Sequence, residues 1–319
     1  NRGDLVGFSA LTWSTNVMAN NKNGLNPIPI DVELDTLNIS SKKLIDVIKD
    51  YPIKMLFLTN LLGFCGDIKK IQNICRKRKI ILIEDNCESL GAVYKGKKLG
   101  NFGLASTFSF YVGHHMSTVE GGAVCTDSGK IATMLRIVRA HGWDRNLDLG
   151  QQNKIRDKFK VDLTFYSRYT FYDLGYNLRP TEINGFLGNV QLNYIGEIIK
   201  KRNDNFIRMA LPIYACKDRY FPIKFSHLDF LSNFAVPVLC KSRKIRDELV
   251  AKCKDKIEIR PIVGGDMTRQ PFFNKYKTKG FCKFKNPSAG LAHEQGLYFA
   301  NNPELTGKEI REIIKVFTL

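Results

Sequence analysis

The chain has 319 residues and carries 49 Lys and Arg against 31 Asp and Glu, a formal net charge of +18. With 44% hydrophobic and 25% charged residues it has the composition of a folded protein rather than a disordered one. No apolar run reaches the ~18 residues a membrane span needs, and no charged-then-apolar leader opens the chain, so no membrane partner is expected. The positive charge suits an anionic ligand, either nucleic acid or a phosphorylated small molecule. It is scattered along helix-like stretches such as 67–79 and 200–208 without interleaved aromatics, which argues against nucleic acid. Eight cysteines without a CxxC pair argue against a disulfide framework and a zinc finger. Several, such as Cys75, Cys125 and Cys240, lie in apolar runs, and a reducing, cytoplasmic setting is expected.

The chain opens on Asn1 rather than Met and runs straight into apolar sequence, which reads as a chain missing its natural beginning. Buried strands are predicted at 55–58 and 80–83, with helical periodicity between them over 67–79. Two further strands are predicted at 107–111 and 122–126, and Ser128 is the expected cap of a helix reaching about His141. Such strand–helix alternation predicts a mainly parallel sheet covered by helices, with ligands at the carboxyl ends of the strands. Residues 143–176 read as a long irregular stretch, and 181–209 as helix. We therefore expect a large domain over 1–211, including a linking helix, and a smaller α/β domain over 212–319. The latter holds a helix at 244–254 and closes on a capping box, Thr306-Gly-Lys-Glu309.

The chemistry-bearing residues concentrate in two segments. In the first, Glu84 and Asp85 end a buried strand and are followed by Asn86, Cys87 and Glu88. A carboxylate there is costly unless it is paired, with a protein cation or with a cation of a ligand. The second is Ser109-Phe-Tyr-Val-Gly-His114-His115, followed by Glu120-Gly-Gly122. Adjacent histidines do not share a face of a helix or strand, so this is a poor metal pair.

These segments, together with Ala10-Leu-Thr-Trp13, Gly175-Tyr-Asn177-Leu-Arg179-Pro-Thr and Arg260-Pro-Ile, resemble the nucleotide-sugar aminotransferase and dehydratase family. The resemblance covers nearly the whole chain. It implies an α/β, aspartate aminotransferase-like (fold-type I) architecture whose mainly parallel large-domain sheet is joined to a smaller C-terminal α/β domain. It also implies pyridoxal or pyridoxamine phosphate as cofactor. On this resemblance Asp85 pairs with the pyridinium nitrogen, Trp13 stacks on the ring, Ser109 bonds the phosphate and Glu88 approaches the ring hydroxyl. Asn177 matches the residue that reaches the phosphate in the neighbouring subunit, which implies a homodimer with shared active sites.

His114 occupies the slot that holds the cofactor-binding lysine in the aminotransferases of this family. Imidazole cannot take that role, so the resemblance implies a cofactor held non-covalently. It places the chain in the 3-dehydratase branch, acting on a 4-keto-6-deoxy nucleotide-diphosphate sugar with His114 as the base. Cys87 resembles the first ligand of the iron–sulfur cluster that some dehydratases carry, but 139–145 holds no cysteine, and no cluster is expected. The implied amino donor is L-glutamate. Arg179 and Arg260 are candidate carboxylate or diphosphate ligands, and Glu258, the 267–271 segment and 143–176 are candidate sugar contacts. An ordinary aminotransferase and an inactive, ligand-binding family member are the competing readings. The second rests on the absence, ahead of Trp13, of the Gly-Ser/Thr phosphate loop that the resemblance leads one to expect.

Overall fold

The computed structural model describes residues 1–162, 165–277 and 284–319, so Leu163 and Thr164 of the 143–176 stretch and Cys282 lie outside the described residues. The first half of the chain runs β1 (Leu5–Ser9), α1 (Thr15–Lys22), β2 (Asn26–Ile30), α2 (Ser41–Asp50), β3 (Met55–Thr59), α3 (Ile68–Arg78) and β4 (Ile81–Asp85). A small hairpin, β5 (Val93–Tyr94) and β6 (Lys97–Lys98), leads to β7 (Ala105–Ser109) and β8 (Gly122–Cys125). Six of these strands form one sheet in the order β2-β1-β3-β4-β7-β8. All neighbours pair in parallel except β8, which returns antiparallel along β7. The strands predicted at 55–58, 80–83, 107–111 and 122–126 are all present, shifted by a residue or two.

β1 and β2 have no counterpart in the sequence reading, and the reason is visible in β2. Its sequence, Asn-Pro-Ile-Pro-Ile, looks like a strand breaker, yet β2 bonds only to β1 at the sheet edge. A proline there costs no ladder bond on the open side.

The second half holds α4 (Gly129–Val138), α5 (Leu149–Phe159), α6 (Glu182–Leu192) and α7 (Ile195–Ala215). As expected, Ser128 caps α4, its Oγ accepting from the Ile131 N–H. The 143–176 stretch is not irregular throughout, because α5 starts on a capping box between Asp148 and Gln151. None of α5's residues is buried, so it lacks the apolar stripe that periodicity detects. Likewise 181–209 is two helices: α6 ends at Leu192 with Asn193 as its cap, and α7 continues through Pro212 to Ala215. Pro212 costs the helix about 3 kcal/mol. The inner face of α7 buries Phe206, Met209, Ile213 and Tyr214, each worth about 1.5–3 kcal/mol, which outweighs that loss.

Beyond α7 come β9 (Tyr220–Phe221), β10 (Ala235–Cys240), α8 (Arg243–Cys253), β11 (Ile259–Pro261), α9 (Pro271–Tyr276), α10 (Pro287–Gln295), β12 (Gly296–Ala300) and α11 (Gly307–Thr318). The strands make a second, antiparallel sheet in the order β11-β12-β10-β9. The Thr306–Glu309 capping box opens α11 as predicted. One contiguous set of buried side chains runs from Ile28, Leu56 and Leu82 through Phe206 and Met209 to Val236, Phe299 and Phe317. The two sheets therefore share a core, with α7 between them. No helix among the described residues is long and apolar enough to cross a membrane.

Candidate active site

The carboxyl ends of β1, β3, β4 and β7 lie side by side in the large sheet, and a polar network links all four strands. Thr12, just after β1, shares a 2.7 Å hydroxyl–hydroxyl hydrogen bond with Thr59 at the end of β3. Asn16, in the first turns of α1, places its side-chain N–H₂ 2.8 Å from Thr59 Oγ1 and 2.8 Å from Asp85 Oδ2. The other oxygen of Asp85 accepts from the Cys87 N–H and the Thr107 hydroxyl, both at 3.1 Å. Asp85 is buried, and no Lys, Arg or His side chain among the described residues makes an ion pair with it. Its carboxylate is thus fixed by neutral donors and left without a countercharge.

Glu84, its neighbour in β4, does different work. Its two oxygens accept the backbone N–H groups of Gly100 at 2.8 Å, Phe102 at 2.5 Å and Gly103 at 2.7 Å, and the Asn60 amide at 3.2 Å. It is fully buried and pins the turn that feeds β7. Glu88 accepts the Leu62 N–H at 2.7 Å, where Leu62 holds a left-handed backbone at φ 53°. Burial pushes the Glu88 carboxyl up to about 8, with the nearby Asp85 charge adding to the shift against the Leu62 bond.

β7 ends on Ser109, whose Oγ accepts the Tyr111 N–H at 3.1 Å. The 110–121 connection then carries His114 and His115 before β8 begins. The two histidines have separate roles. His115 is buried, with Nε2 2.6 Å from the Ser232 carbonyl, and burial holds its proton affinity down at about 3. It is a neutral structural side chain that donates to that carbonyl. The His114 imidazole makes no hydrogen bond among the described residues, and its Nδ1 is buried without a partner. It is flanked edge-on by Tyr111 at 5.9 Å and Phe234 at 5.3 Å between ring centroids. Burial lowers the His114 pKa; the negative charge of Asp85 pulls it back up, and Arg202 lowers it further.

A cavity of about 400 Å³ opens at His114. Its walls come from both halves of the chain: His114, His115 and Arg202 on one side, Phe234, Glu258, Arg260 and Tyr298 on the other. The structure therefore brings Glu258 and Arg260 to the same cavity as His114. The two also bind each other, Arg260 Nε and Nη2 donating to Glu258 at 2.8 and 2.5 Å. Trp13, directly after the β1 edge of the network, leaves 54% of its surface exposed. Asn177 and Arg179 are not brought to the cavity within one chain. They lie on an exposed segment, where Arg179 Nε donates to Asn177 Oδ1 at 3.2 Å.

Asn16, Thr107 and Arg202 escaped the sequence reading. Asn16 and Thr107 look like ordinary polar residues of a helix and a strand, and only the register of β1, β4 and β7 brings them to Asp85. Arg202 is hidden in the Lys200-Lys201-Arg202 run, whose charge reads as solvated surface.

A model of the DegT/DnrJ/EryC1/StrS aminotransferase family matches residues 1–318. GDP-4-keto-6-deoxy-D-mannose 3-dehydratase of Escherichia coli O55:H7 is 34% identical over 287 residues, covering 86% of this chain and 70% of that protein. The enzyme of the same name from Yersinia pseudotuberculosis is 33% identical over 325 residues, 99% of this chain and 79% of its own length. Among solved structures, GDP-4-keto-6-deoxymannose-3-dehydratase with a trapped PLP–glutamate geminal diamine superposes with a TM-score of 0.88 at 31% identity. That match covers 99% of this chain and 81% of the other.

Proposed function

The chain belongs to the DegT/DnrJ/EryC1/StrS aminotransferase family and has the fold-type I α/β architecture, and from this we propose that it is a 3-dehydratase. Its substrate on this reading is a 4-keto-6-deoxy nucleotide sugar, GDP-4-keto-6-deoxy-D-mannose being the one its relatives' names point to. The carrying observation is His114. It stands in the β7–β8 connection beside the buried, uncompensated Asp85, and no lysine occurs between Lys98 and Lys130.

The residues present fit pyridoxamine phosphate. A buried carboxylate held by three neutral donors and lacking a protein cation is the acceptor and countercharge that a pyridinium N–H requires. Trp13 would cover one face of the ring, Ser109 Oγ would take the phosphate, and protonated Glu88 would donate to the ring hydroxyl. When bound, the cofactor supplies an amine and an electron-withdrawing ring.

The protein's own part is proton handling and positioning. Desolvation keeps the His114 imidazole neutral near pH 7, so its unbonded nitrogen can take a proton and return it to the departing C3 oxygen. Phe234 and Tyr111 limit the ring's swing and exclude water from it. Arg260 would bind the diphosphate or a glutamate carboxylate, and Glu258 a sugar hydroxyl. In the net reaction the C3 hydroxyl is replaced by hydrogen, glutamate giving two electrons and leaving as 2-oxoglutarate and ammonia.

We also assign Asn177 and Arg179 to the active site of a second copy. They lie in a stretch of chain that also leaves Phe171, Leu174, Leu178 and Phe186 exposed, apolar surface that a homodimer would bury. The test is His114→Lys. Loss of C3 deoxygenation, with a borohydride-reducible absorbance band in the variant alone, is expected; unchanged deoxygenation rejects the base assignment.

A further inference from the structure

Arg202 is an arginine in an unusual place. It lies on the inner face of α7 with 8% of its surface exposed, and among the described residues no carboxylate pairs with it. A buried guanidinium is costly to strip of water, and it is retained where its hydrogen bonds do a specific job. Among the described residues its hydrogen bonds all go to backbone carbonyls, and its Nε is buried without a partner. Nη1 donates to Asn301 at 2.5 Å and Phe234 at 3.3 Å, and Nη2 donates to the carbonyl of His114 at 3.3 Å. Asn301 closes the arrangement, its amide donating to the carbonyls of Arg202 and Asn233 at 2.8 Å each.

The three carbonyls belong to the elements that define the position of His114. One is its own. The second is that of Phe234, whose ring walls the imidazole. The third, Asn301, follows β12, the strand that carries Tyr298 across the cavity. Resting on the reading of His114 as the base, we propose that Arg202 is its positioning residue, clamping the His114 backbone and the Phe234 wall at one fixed spacing. The fork of the guanidinium suits the task, since its two terminal nitrogens divide the three carbonyls between them, whereas a lysine presents its donors from a single nitrogen. The charged and titratable groups facing the imidazole are Asp85 at the end of β4, Arg202 on α7, and Tyr111 and His115 on its own loop. Glu258, Arg260 and Tyr298 stand across the cavity.

The test uses the full chain and two variants, Arg202→Lys and Arg202→Gln. The chain has five histidines, so the His114 ring signals can be identified in NMR spectra by their loss in His114→Gln. They are followed through a pH titration without added cofactor, and turnover is measured with pyridoxamine phosphate, glutamate and the keto sugar. In Arg202→Lys, which keeps the charge, the His114 signals should shift and broaden, while kcat falls by about 10- to 100-fold with KM little changed. In Arg202→Gln the His114 titration should also move to higher pH, because a neighbouring positive charge is gone.

Wild-type His114 signals in both variants, a kcat within twofold of wild type, or a loss confined to KM would each overturn the proposal. If Arg202→Gln does not fold, Arg202→Lys decides alone. Should His114→Gln keep full turnover, the base assignment fails, and the His114 signals in Arg202→Lys still show whether the clamp sets the ring.

Discussion

Glu88 carries its carboxyl into a place where the ionised form is penalised, and the consequence is measurable. Its folded-state pKa, about 8, lies above the ordinary 4.5, so the protonated group stabilises the fold fully below about pH 4.5. That contribution is lost as the pH rises toward 8. Glu88→Gln keeps an acceptor for the Leu62 N–H and cannot ionise, so its melting temperature should overtake that of the wild type as pH is raised from 5 to 8. A constant difference across that range would contradict the assignment. His115 works in the opposite sense. Its depressed pKa makes the neutral form's contribution complete above 6.5 and lost as pH falls toward about 3. Glu84 is a stability residue rather than a chemical one. Glu84→Ala leaves three backbone N–H groups of the 100–103 turn without their acceptor, and should cost about 3 kcal/mol or more in denaturant unfolding. Glu84 and Asp85 are adjacent acids at the end of one strand. Alternation along β4 turns them to opposite faces, one toward the turn and the other toward the site.

At the scale of elements, what could be read in advance was what repeats. The buried strands β3 and β4 and the amphipathic α3 announce themselves by apolar periodicity, and α11 by its capping box. α5 and β2 did not, because one buries nothing and the other is an edge strand built around two prolines. The same division runs through the site. Asp85 and Ser109 end strands and His114 follows one, positions that strand periodicity points to, whereas Asn16 and Arg202 come from helices through tertiary packing. Caps offer a direct check on the element assignments. Thr306→Ala removes the hydroxyl that accepts from the Glu309 N–H at the start of α11, and should lower stability by about 1 kcal/mol. At the other end of α11, buried Phe317 accepts from Tyr220 at 2.7 Å through its carbonyl, which ties the helix to the second sheet.

For the whole molecule, the net charge of +18 accords with a cavity whose arginines, Arg202 and Arg260, face a single acid, Glu258. A phosphorylated cofactor and a nucleotide diphosphate sugar are the anions it would meet. The exposed stretch carrying Phe171, Leu174, Leu178 and Phe186 should lie between two copies, so sedimentation should show a dimer. Phe186→Lys should shift it toward monomer and lower turnover, since Asn177 and Arg179 would no longer reach the partner's site. The central claim concerns which atom leaves the sugar. The decisive measurement is mass spectrometry of the product made from GDP-4-keto-6-deoxy-D-mannose by the wild-type chain with pyridoxamine phosphate and glutamate. The account predicts a keto sugar lighter by one oxygen, with deuterium from solvent at C3; a product bearing an amine at C4, its C3 hydroxyl intact, would contradict it.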